Sequence, residues 1–296
     1  MGQLADIILA SRVLEPESRA AYLACVKRFE AFRQHQHAWT TSAVESWRDS
    51  LIRQGLKPQT VNKHLYALRY ATKRREALGK GPDFARAAEP AKAHRSVRVR
   101  QALDADEVAL MLGTTAGGSP TDLRDRALIV VGVKTGLRAS ALRGMRWQDL
   151  SGKKLKVKEK GGHERVVYLD DECLIALRAW KKVSRGDGPV FLRLRSDLEA
   201  EGRRPKYARQ VTPISRQAVH RIISERARAA GIARPIHPHL LRHTCVTWLL
   251  EAGVPPQRVM VMTGHKSLST LSGYVTDLQA AKDPIGGYLP SILKGP

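Results

Sequence analysis

The chain carries HLLRHTCVTWLL at residues 239–250 and GHKSLST at residues 264–270. Within the first segment, His239 and Arg242 lie three positions apart on a predicted helix, so both side chains leave one face of it. Gly253 closes this helix. The segment therefore presents an imidazole and a guanidinium next to each other, although His239 alone is also compatible with a hydrogen-bonded core histidine.

The second segment places a histidine at a helix end. Gly264 can end the preceding helix, which puts the imidazole of His265 at a helix–loop junction. Tyr274 follows nine residues later, on a short predicted helix that Ser267 or Ser269 can cap. A lone tyrosine on an amphipathic helix is ordinarily a packing residue, and its spacing from the Gly-His pair is what favours a reactive role.

Two further basic residues lie upstream of these segments. Arg138 is part of TGLRASAL at residues 135–142, directly after a predicted helix through 128–133, which it alternatively caps. Lys160 begins KGGHER and occupies the tip of a predicted antiparallel hairpin. The neighbouring predicted elements are strands at 155–159, 165–169 and 190–194 and helices at 171–184 and 215–230. This region is predicted to be mainly helical with a small antiparallel sheet (an α+β domain).

Together these side chains can act on a phosphodiester. Arginine forms bidentate hydrogen bonds with phosphate oxygens and can stabilise negative charge in a transition state. A phenol, with a pKa of about 10, needs cationic neighbours before its phenolate forms at neutral pH. The sequence shows no clustered carboxylates suited to a two-metal nuclease. We therefore expect neither a metal nor a cofactor.

The charge of the chain points to its partner. Its 296 residues include 51 Lys plus Arg against 28 Asp plus Glu, a formal net charge of +23. Such a protein repels itself unless a polyanion binds it, which favours nucleic acid. No run of ~18 apolar residues or amphipathic anchor indicates a membrane partner. The three cysteines, Cys25, Cys173 and Cys245, are far apart and predict neither a disulfide framework nor a zinc site. We expect a cytoplasmic protein.

The N-terminal part is predicted to be a helical DNA-binding domain. Apolar residues recur at helical spacing, Ser42-Ala-Val-Glu45 has the pattern of a capping box, and Pro58 suits the first turn of a following helix. The basic face of that last helix and the basic residues after it are predicted to contact DNA phosphates. These residues are Lys57, Lys63, Arg69, Lys73, Arg74, Arg95, Arg98 and Arg100.

A change in composition divides the chain. Glycine, proline and basic residues, with few large apolar side chains, predict a linker at 83–102. It separates a helical domain at 1–82 from a catalytic domain at 103–280, which is followed by a tail at 281–296. About 20 extended residues span ~66 Å. Since the major groove of DNA is ~12 Å wide, such a linker can pass around a duplex.

Five segments, taken in order, resemble the tyrosine recombinases, the phage-integrase family of site-specific DNA recombinases. The segments are TGLRASAL (135–142), KGGHER (160–165), HLLRH (239–243), GHKSLST (264–270) and Tyr274. The resemblance covers about residues 103–280. It implies a tyrosine-recombinase catalytic domain preceded by a helical, SAM-like core-binding domain, although the N-terminal likeness is one of pattern alone.

The resemblance also implies roles for the central residues. Tyr274 would attack the phosphorus atom, which gives a 3′-phosphotyrosine and a free 5′-hydroxyl. Arg138 and Arg242 would clamp the non-bridging oxygens. The protein would act on double-stranded DNA as a tetramer on synapsed duplexes, through a Holliday junction, and would be a monomer or dimer when free. The outcome would be integration, excision or resolution.

The remaining implied roles concern protons. Lys160 would protonate the leaving 5′ oxygen, His239 would transfer a proton, and His265 would donate to a phosphate oxygen and help to position the nucleophile. Three residues depart from the family pattern: Ala141 replaces a common acidic residue, Thr263 replaces a leucine, and Asp277 replaces a frequent basic or histidine residue.

Two alternatives belong to different functional classes. A type IB topoisomerase uses a similar set of residues but relaxes supercoils as a monomer. A catalytically silent DNA-binding relative would bind DNA without cleaving it, although the complete residue set argues against this. Covalent trapping on a nicked duplex, compared with Tyr274→Phe, distinguishes the silent relative from an enzyme.

Overall fold

The computed structural model describes residues 3–33, 39–92, 102–158, 164–184, 188–194, 197, 212–265, 267 and 271. The chain divides into two compact units, Met1–Val97 and Arg98–Pro296. Within the described ranges, every helix is too short or too polar to cross a lipid bilayer.

The described part of the N-terminal unit is helical, as the sequence predicts. Its helices are α1 (Gln3–Leu9), α2 (Pro16–Arg33), α3 (Thr41–Arg53) and α4 (Pro58–Ala77). Their apolar faces bury Phe29, Trp47 and Leu65 in one core. The ring of Phe29 meets that of Trp47 edge-on, with 5.0 Å between centroids. The predicted apolar stripes therefore do face a common core.

Helix α3 begins earlier than the predicted capping box at Ser42-Ala-Val-Glu45. Thr40 is the N-cap residue: its backbone is extended, and its side chain accepts a hydrogen bond from the Ala43 backbone N–H at 3.2 Å. Ser42 consequently lies inside the first turn. Two hydroxyl residues close together can both cap a helix, and the backbone conformation selects Thr40. Pro58 occupies the first turn of α4, as predicted.

The described part of the predicted linker, residues 83–92, is packed rather than extended. Phe84, Ala88 and Ala91 are buried against the N-terminal helices. The Asn62 side chain donates to the Ala91 carbonyl at 3.0 Å and accepts from its N–H at 2.7 Å. The segment has no helix or strand, but its alanines are small enough to lie close to α4. The N-terminal unit therefore extends at least to residue 92, beyond the predicted boundary at 82.

The C-terminal unit combines helices with one small sheet. Its described elements are α5 (Ala105–Gly113), α6 (Pro120–Thr135), α7 (Ala139–Gly144), a 3₁₀ turn (Trp147–Asp149), β1 (Leu150–Ser151), β2 (Lys154–Lys158), β3 (Glu164–Tyr168), α8 (Asp171–Ser184), α9 (Arg216–Ala229), α10 (Pro238–Glu251) and α11 (Pro256–Thr263). Helix α5 opens with a full capping box. Asp104 accepts from the Glu107 N–H at 2.7 Å, and the Glu107 carboxylate accepts from the Asp104 N–H at 3.1 Å.

The three strands form an antiparallel sheet in the order β1–β2–β3. Leu155 pairs with Val167, and both are buried, whereas Lys154 and Lys156 are exposed on the other face. The two predicted strands and their antiparallel pairing are confirmed, with each strand starting one residue earlier, and the predicted turn between them lies outside the described residues. Strand β1 was not predicted because two residues are too few to show alternation.

The strand predicted at 190–194 is wrong. In this segment Leu192 forms only an isolated bridge with Pro213, and Pro189 forms another with Arg146. Proline has no N–H to donate to a ladder. One proline, Pro189, directly precedes the segment and another, Pro213, is the partner of Leu192, so a regular strand does not form here. The apolar side chains of Val190 and Phe191 are nevertheless fully buried in the core.

Helix α6 forms the centre of the C-terminal core. Leu128, Ile129 and Val131 are fully buried, and the helix packs against α8 and α10. It ends at Gly136, whose φ is +61°. A Cβ atom there would lie 3.2 Å from the Thr263 Cγ2 atom. Glycine therefore supplies both the left-handed turn and the close approach of α11.

The start of α6 carries a buried ion cluster. Arg124 is 1% exposed, and its Nε donates to Asp125 at 3.0 Å while its Nη2 donates to Asp197 at 3.2 Å. Arg226 of α9 contacts Asp122 and Asp125 at 2.8 Å each. Burial opposes ionisation of Asp197, but the Arg124 guanidinium holds the pKa of that carboxyl below its usual value.

Candidate active site

Two helix ends meet around one buried arginine. Helix α6 ends at Gly136, and α11 ends at Gly264, which has a φ of +71° as its predicted helix-ending role requires. Arg242 reaches both ends from α10: its Nη1 donates to the Gly136 carbonyl at 2.8 Å and to the Thr263 carbonyl at 2.5 Å. Carbonyls at helix C-termini carry partial negative charge. They therefore stabilise a guanidinium that is only 2% exposed.

Arg138 reaches the same turn from the other side. It is exposed, directly precedes α7, and donates from Nη2 to the Gly264 carbonyl at 3.0 Å. The family pattern places an acidic residue at position 141, where this chain has Ala141. Here the Gly264 carbonyl orients the guanidinium. Because Arg242 binds the preceding carbonyl, of Thr263, the two predicted arginines contact consecutive residues.

Arg165 is a site residue that the sequence analysis did not select. From β3, its Nη1 donates to the Met262 carbonyl and its Nη2 to the Thr263 carbonyl at 3.2 Å. The hairpin strand is thereby fixed to the end of α11. The only sequence signal was its position at the end of KGGHER, whose lysine, Lys160, lies outside the described residues.

His265 lies partly buried beside the arginines. Its Nδ1 is 2.7 Å from the Thr263 hydroxyl oxygen. Burial, together with the positive charges of Arg242 and Arg138, lowers the pKa of His265 to about 4. His239 adds a smaller effect of the same sign. The imidazole of His265 is therefore neutral at neutral pH.

His239 is exposed in the first turn of α10. This excludes the alternative that it is a buried core histidine. Its ring lies nearly parallel to that of His237, with centroids 6.4 Å apart and an interplanar angle of 16°. His243, from the same segment, is half-buried, and its Nδ1 forms a local hydrogen bond with the Thr247 hydroxyl at 3.1 Å.

The predicted DNA contacts on and directly before α4 all lie within the described residues. Lys57, Lys63, Lys73 and Arg74 are exposed, as a surface for phosphate contact requires. Arg69 differs: its Nε donates to the Ala85 carbonyl at 3.2 Å and its Nη2 to the Ala88 carbonyl. The structure therefore gives Arg69 a packing role against the 83–92 segment. The other predicted DNA contacts, Arg95, Arg98 and Arg100, lie outside the described residues, as does Tyr274.

The described residues contain no group of three His, Cys, Asp or Glu side chains placed to hold a metal ion. Cys25, Cys173 and Cys245 are all buried with free thiols. Burial raises the pKa of Cys245 to about 12, which makes this thiol, on the helix that carries Arg242, unreactive at neutral pH. Within the described part of the chain, the ionisable side chains gathered at this site are those of arginine and histidine.

Comparison with known sequences identifies the family. The sequence model of the phage integrase family matches residues 101–280, more than half of the chain. The chain belongs to the phage integrase family. It is 36% identical to tyrosine recombinase XerC of Xylella fastidiosa (strain M23) over 176 residues, which are 58% of this chain and 54% of that protein. With XerC of Xanthomonas campestris pv. campestris (strain B100), identity is 33% over 228 residues, 75% of this chain and 65% of the relative. The matches thus span between about half and two thirds of these relatives.

Solved structures share the fold of this phage integrase family member. A crystal structure of a lambda integrase (75–356) dimer bound to a COC′ core site aligns with a TM-score of 0.69 and 21% identity, over 97% of this chain and 95% of that one. XerH site-specific recombinase in a post-cleavage complex with palindromic difH substrate gives a TM-score of 0.70 and 17% identity, over 94% and 81%. The predicted fold class, mainly helical with a small antiparallel sheet, is confirmed.

Proposed function

We propose that this phage integrase family member is a site-specific recombinase that breaks and rejoins double-stranded DNA through a 3′-phosphotyrosine at Tyr274. One observation carries the proposal. The guanidinium groups of Arg138 and Arg242 are anchored on the consecutive carbonyls of Gly264 and Thr263, at the helix end that directly precedes His265 and, nine residues on, Tyr274.

The two arginines supply the electrostatic part of the reaction. Attack on a phosphodiester places additional negative charge on the non-bridging oxygens. Guanidinium groups fixed beforehand by carbonyl oxygens stabilise that charge without having to reorganise. Arg242 is held between two helix ends and Arg138 by one, so they can bind the same phosphate from different directions. These fixed charges let the reaction proceed without a metal ion.

The covalent step conserves the energy of the DNA backbone. The Tyr274 oxygen bonds to phosphorus, the bond to the 5′ oxygen breaks, and Lys160 gives its proton to that leaving oxygen. His239, exposed beside the site, takes part in proton transfer. A 5′-hydroxyl from another duplex then attacks the phosphotyrosine and reverses the chemistry, so no ATP is needed.

DNA and further copies of the chain are the proposed partners. The net charge of +23 and the exposed basic residues of α4 support binding to duplex phosphates. Exchange between two duplexes by single-strand steps passes through a Holliday junction and requires four active subunits. One solved relative of this fold is a lambda integrase tetramer bound to a Holliday junction, with a TM-score of 0.69.

Covalent trapping tests the proposal. DNA fragments that remain attached to the wild-type protein after denaturation identify a target, and a nicked suicide duplex of that sequence then measures cleavage. We expect a protease-sensitive adduct with the wild-type protein and none with Tyr274→Phe. A protein that binds this duplex but never forms an adduct would be a silent DNA-binding relative.

Two DNA substrates separate a recombinase from a topoisomerase. A recombinase should exchange strands between two target-containing duplexes and show little relaxation of a plasmid that lacks the target. Rapid relaxation of any supercoiled plasmid by the monomer, without exchange, would instead identify a type IB topoisomerase.

A further inference from the structure

Thr263, one of the three residues that depart from the family pattern, contacts active-site residues on several sides. It is fully buried at the end of α11, and its carbonyl accepts hydrogen bonds from Arg242 and Arg165. Its hydroxyl oxygen lies 2.6 Å from the Val259 carbonyl and 2.7 Å from Nδ1 of His265. A leucine would keep the carbonyl contacts but would lack both hydroxyl contacts.

The single hydroxyl proton decides how the second contact works. A carbonyl oxygen can only accept a hydrogen bond, so an oxygen–oxygen distance of 2.6 Å requires the Thr263 proton to point at Val259. The hydroxyl then has only lone pairs to offer to His265. The Nδ1 atom, at 2.7 Å, must therefore be the donor and carry the proton.

We propose that Thr263 is a positioning residue that holds His265 in the Nδ1–H tautomer, with a lone pair on Nε2. This inference concerns the same site and rests on the proposed function for its catalytic meaning. The role implied by the family resemblance, donation to a phosphate oxygen, becomes available to His265 only after Nε2 has taken up a proton. In the free protein Nε2 is a proton acceptor.

The charges around His265 favour this neutral state. Arg242 of α10, Arg138 before α7 and Arg165 of β3 are cationic, and His239 of α10 acts in the same direction. Burial adds to their effect. The ring is consequently neutral over the working pH range, and the choice between its two neutral tautomers is left to the hydroxyl of Thr263.

The phosphodiester changes that balance when it binds. Its negative charge offsets the arginines, so Nε2 can take the proton that the attacking phenol loses as its oxygen bonds to phosphorus. The resulting imidazolium then donates through Nε2–H to a phosphoryl oxygen, while its Nδ1–H remains hydrogen-bonded to the Thr263 hydroxyl oxygen. One histidine thereby accepts and then donates in a fixed orientation.

Nitrogen NMR on the DNA-free protein tests the tautomer directly. Long-range proton–nitrogen correlation spectra at pH 7, assigned with His265→Gln, should show a protonated Nδ1 and a bare Nε2 in the wild type and in Thr263→Ser. Thr263→Val keeps the shape but lacks the hydroxyl, and should shift the ring toward the Nε2–H form. An Nε2–H tautomer in the wild type, or an unchanged spectrum in Thr263→Val, would overturn the proposal.

Cleavage kinetics test the catalytic meaning. On the suicide duplex, Thr263→Val should reduce the single-turnover rate about tenfold or more, since acid–base groups typically contribute 10²–10⁴-fold. It should also move the acid limb of the pH–rate profile to lower pH, because the lost acceptor stabilised the imidazolium. Thr263→Ser should restore both, and thermal melting checks that each variant is folded. A rate loss without a shift of the limb would indicate a merely structural role and contradict the proposal.

The NMR spectra and the cleavage assay distinguish failure of the proposed function from failure of the role proposed for Thr263. If the wild-type protein never cleaves DNA, the proposed function fails, whereas the NMR result still decides whether Thr263 sets the tautomer. If cleavage occurs and the spectrum shows the Nε2–H form, the proposed function survives and the role of Thr263 fails.

Discussion

A buried arginine lies near each end of helix α6, and in the described part of the chain the two arginines donate to different kinds of acceptor. Near the start, Arg124 is bound by the carboxylates of Asp125 and Asp197. At the end, Arg242 donates to the carbonyls of Gly136 and Thr263. The two side chains are almost equally buried, at 1% and 2% exposure. Burial alone therefore does not distinguish their roles.

The two arginines differ in the charge of these acceptor groups. A carboxylate cancels the formal charge of a guanidinium, and breaking such a buried pair leaves an uncompensated charge. A carbonyl oxygen orients the guanidinium through its dipole and carries no formal charge. The start of α6 thus has the chemistry of a structural crosslink to residue 197 and α9. Its end has the chemistry of a site where a fixed cation acts on an anion.

The largest expected effect is on catalysis, at the end of α6. Arg242→Lys keeps the charge but loses the planar fork that donates to carbonyls and phosphate together. We expect single-turnover cleavage of the suicide duplex to fall by about 10²–10³-fold. Duplex binding, measured in parallel, should change far less. A rate within threefold of the wild type would mean that both ends of α6 are structural.

The start of α6 should respond in stability instead. Arg124→Met leaves Asp125 and Asp197 buried without this cation, and we expect a loss of about 3–5 kcal/mol in the free energy of unfolding in urea. The rate of cleavage per folded molecule should stay near that of the wild type. Asp197→Asn is a milder second variant for the same comparison. A folded variant that has lost cleavage would remove the distinction between the two ends.

The two ends should also differ in pH dependence. Because the folded-state pKa of His265 is about 4, against 6.5 in the unfolded chain, the unfolded state binds the proton first as the pH falls. Its stabilising contribution is complete above pH 6.5 and is lost toward pH 4. The pKa of Asp197 is also lowered, but from an ordinary value of 3.8, so its stabilising contribution is lost only at pH values below about 3.8. Between pH 6.5 and 4.5, His265→Gln should therefore flatten the decline in unfolding free energy, by roughly 1 kcal/mol for a partly exposed ring. An equally steep decline in this variant would contradict the assignment.

The smallest effect concerns binding away from α6. Lys63 and Lys73 are exposed on α4 and carry no catalytic role. Changing each to Gln should lower the slope of log affinity against log salt by about 1, without changing the rate of the bound complex. Lys182→Gln, an exposed change on α8, is the matched control and should leave the slope unaltered. If the slope is the same in all three variants, α4 does not contact phosphate.

The positions of the main arginines were predictable because local spacing places them. Arg242 is three residues after His239 on a helix, and Arg138 lies two residues after the glycine that ends the preceding helix. Both sequence signals are local, and in the structure both arginine side chains contact the same turn, at Thr263 and Gly264. The hairpin was predictable for a similar reason, since its apolar residues alternate along β2.

The site contacts that were not predicted from the sequence are formed between residues that only the tertiary fold brings together. Thr263 was noted only as a polar departure, and Arg165 was not selected, because their partners are backbone carbonyls and a ring that come close only when α11 ends against β3 and α10. Arg69 was predicted to face DNA from a basic run on α4. Its guanidinium turns to the Ala85 carbonyl because residues 83–92 fold back over the helix, which their composition does not indicate.

The proposed function depends above all on one bond, between Tyr274 and a DNA phosphate held by the arginines at the end of α6. The most direct measurement is mass spectrometry of the protease-digested, trapped wild-type adduct. We expect the nucleotide to be attached through its 3′-phosphate to the peptide that contains Tyr274. Attachment to any other side chain, or nicked DNA with no attached peptide, would contradict it.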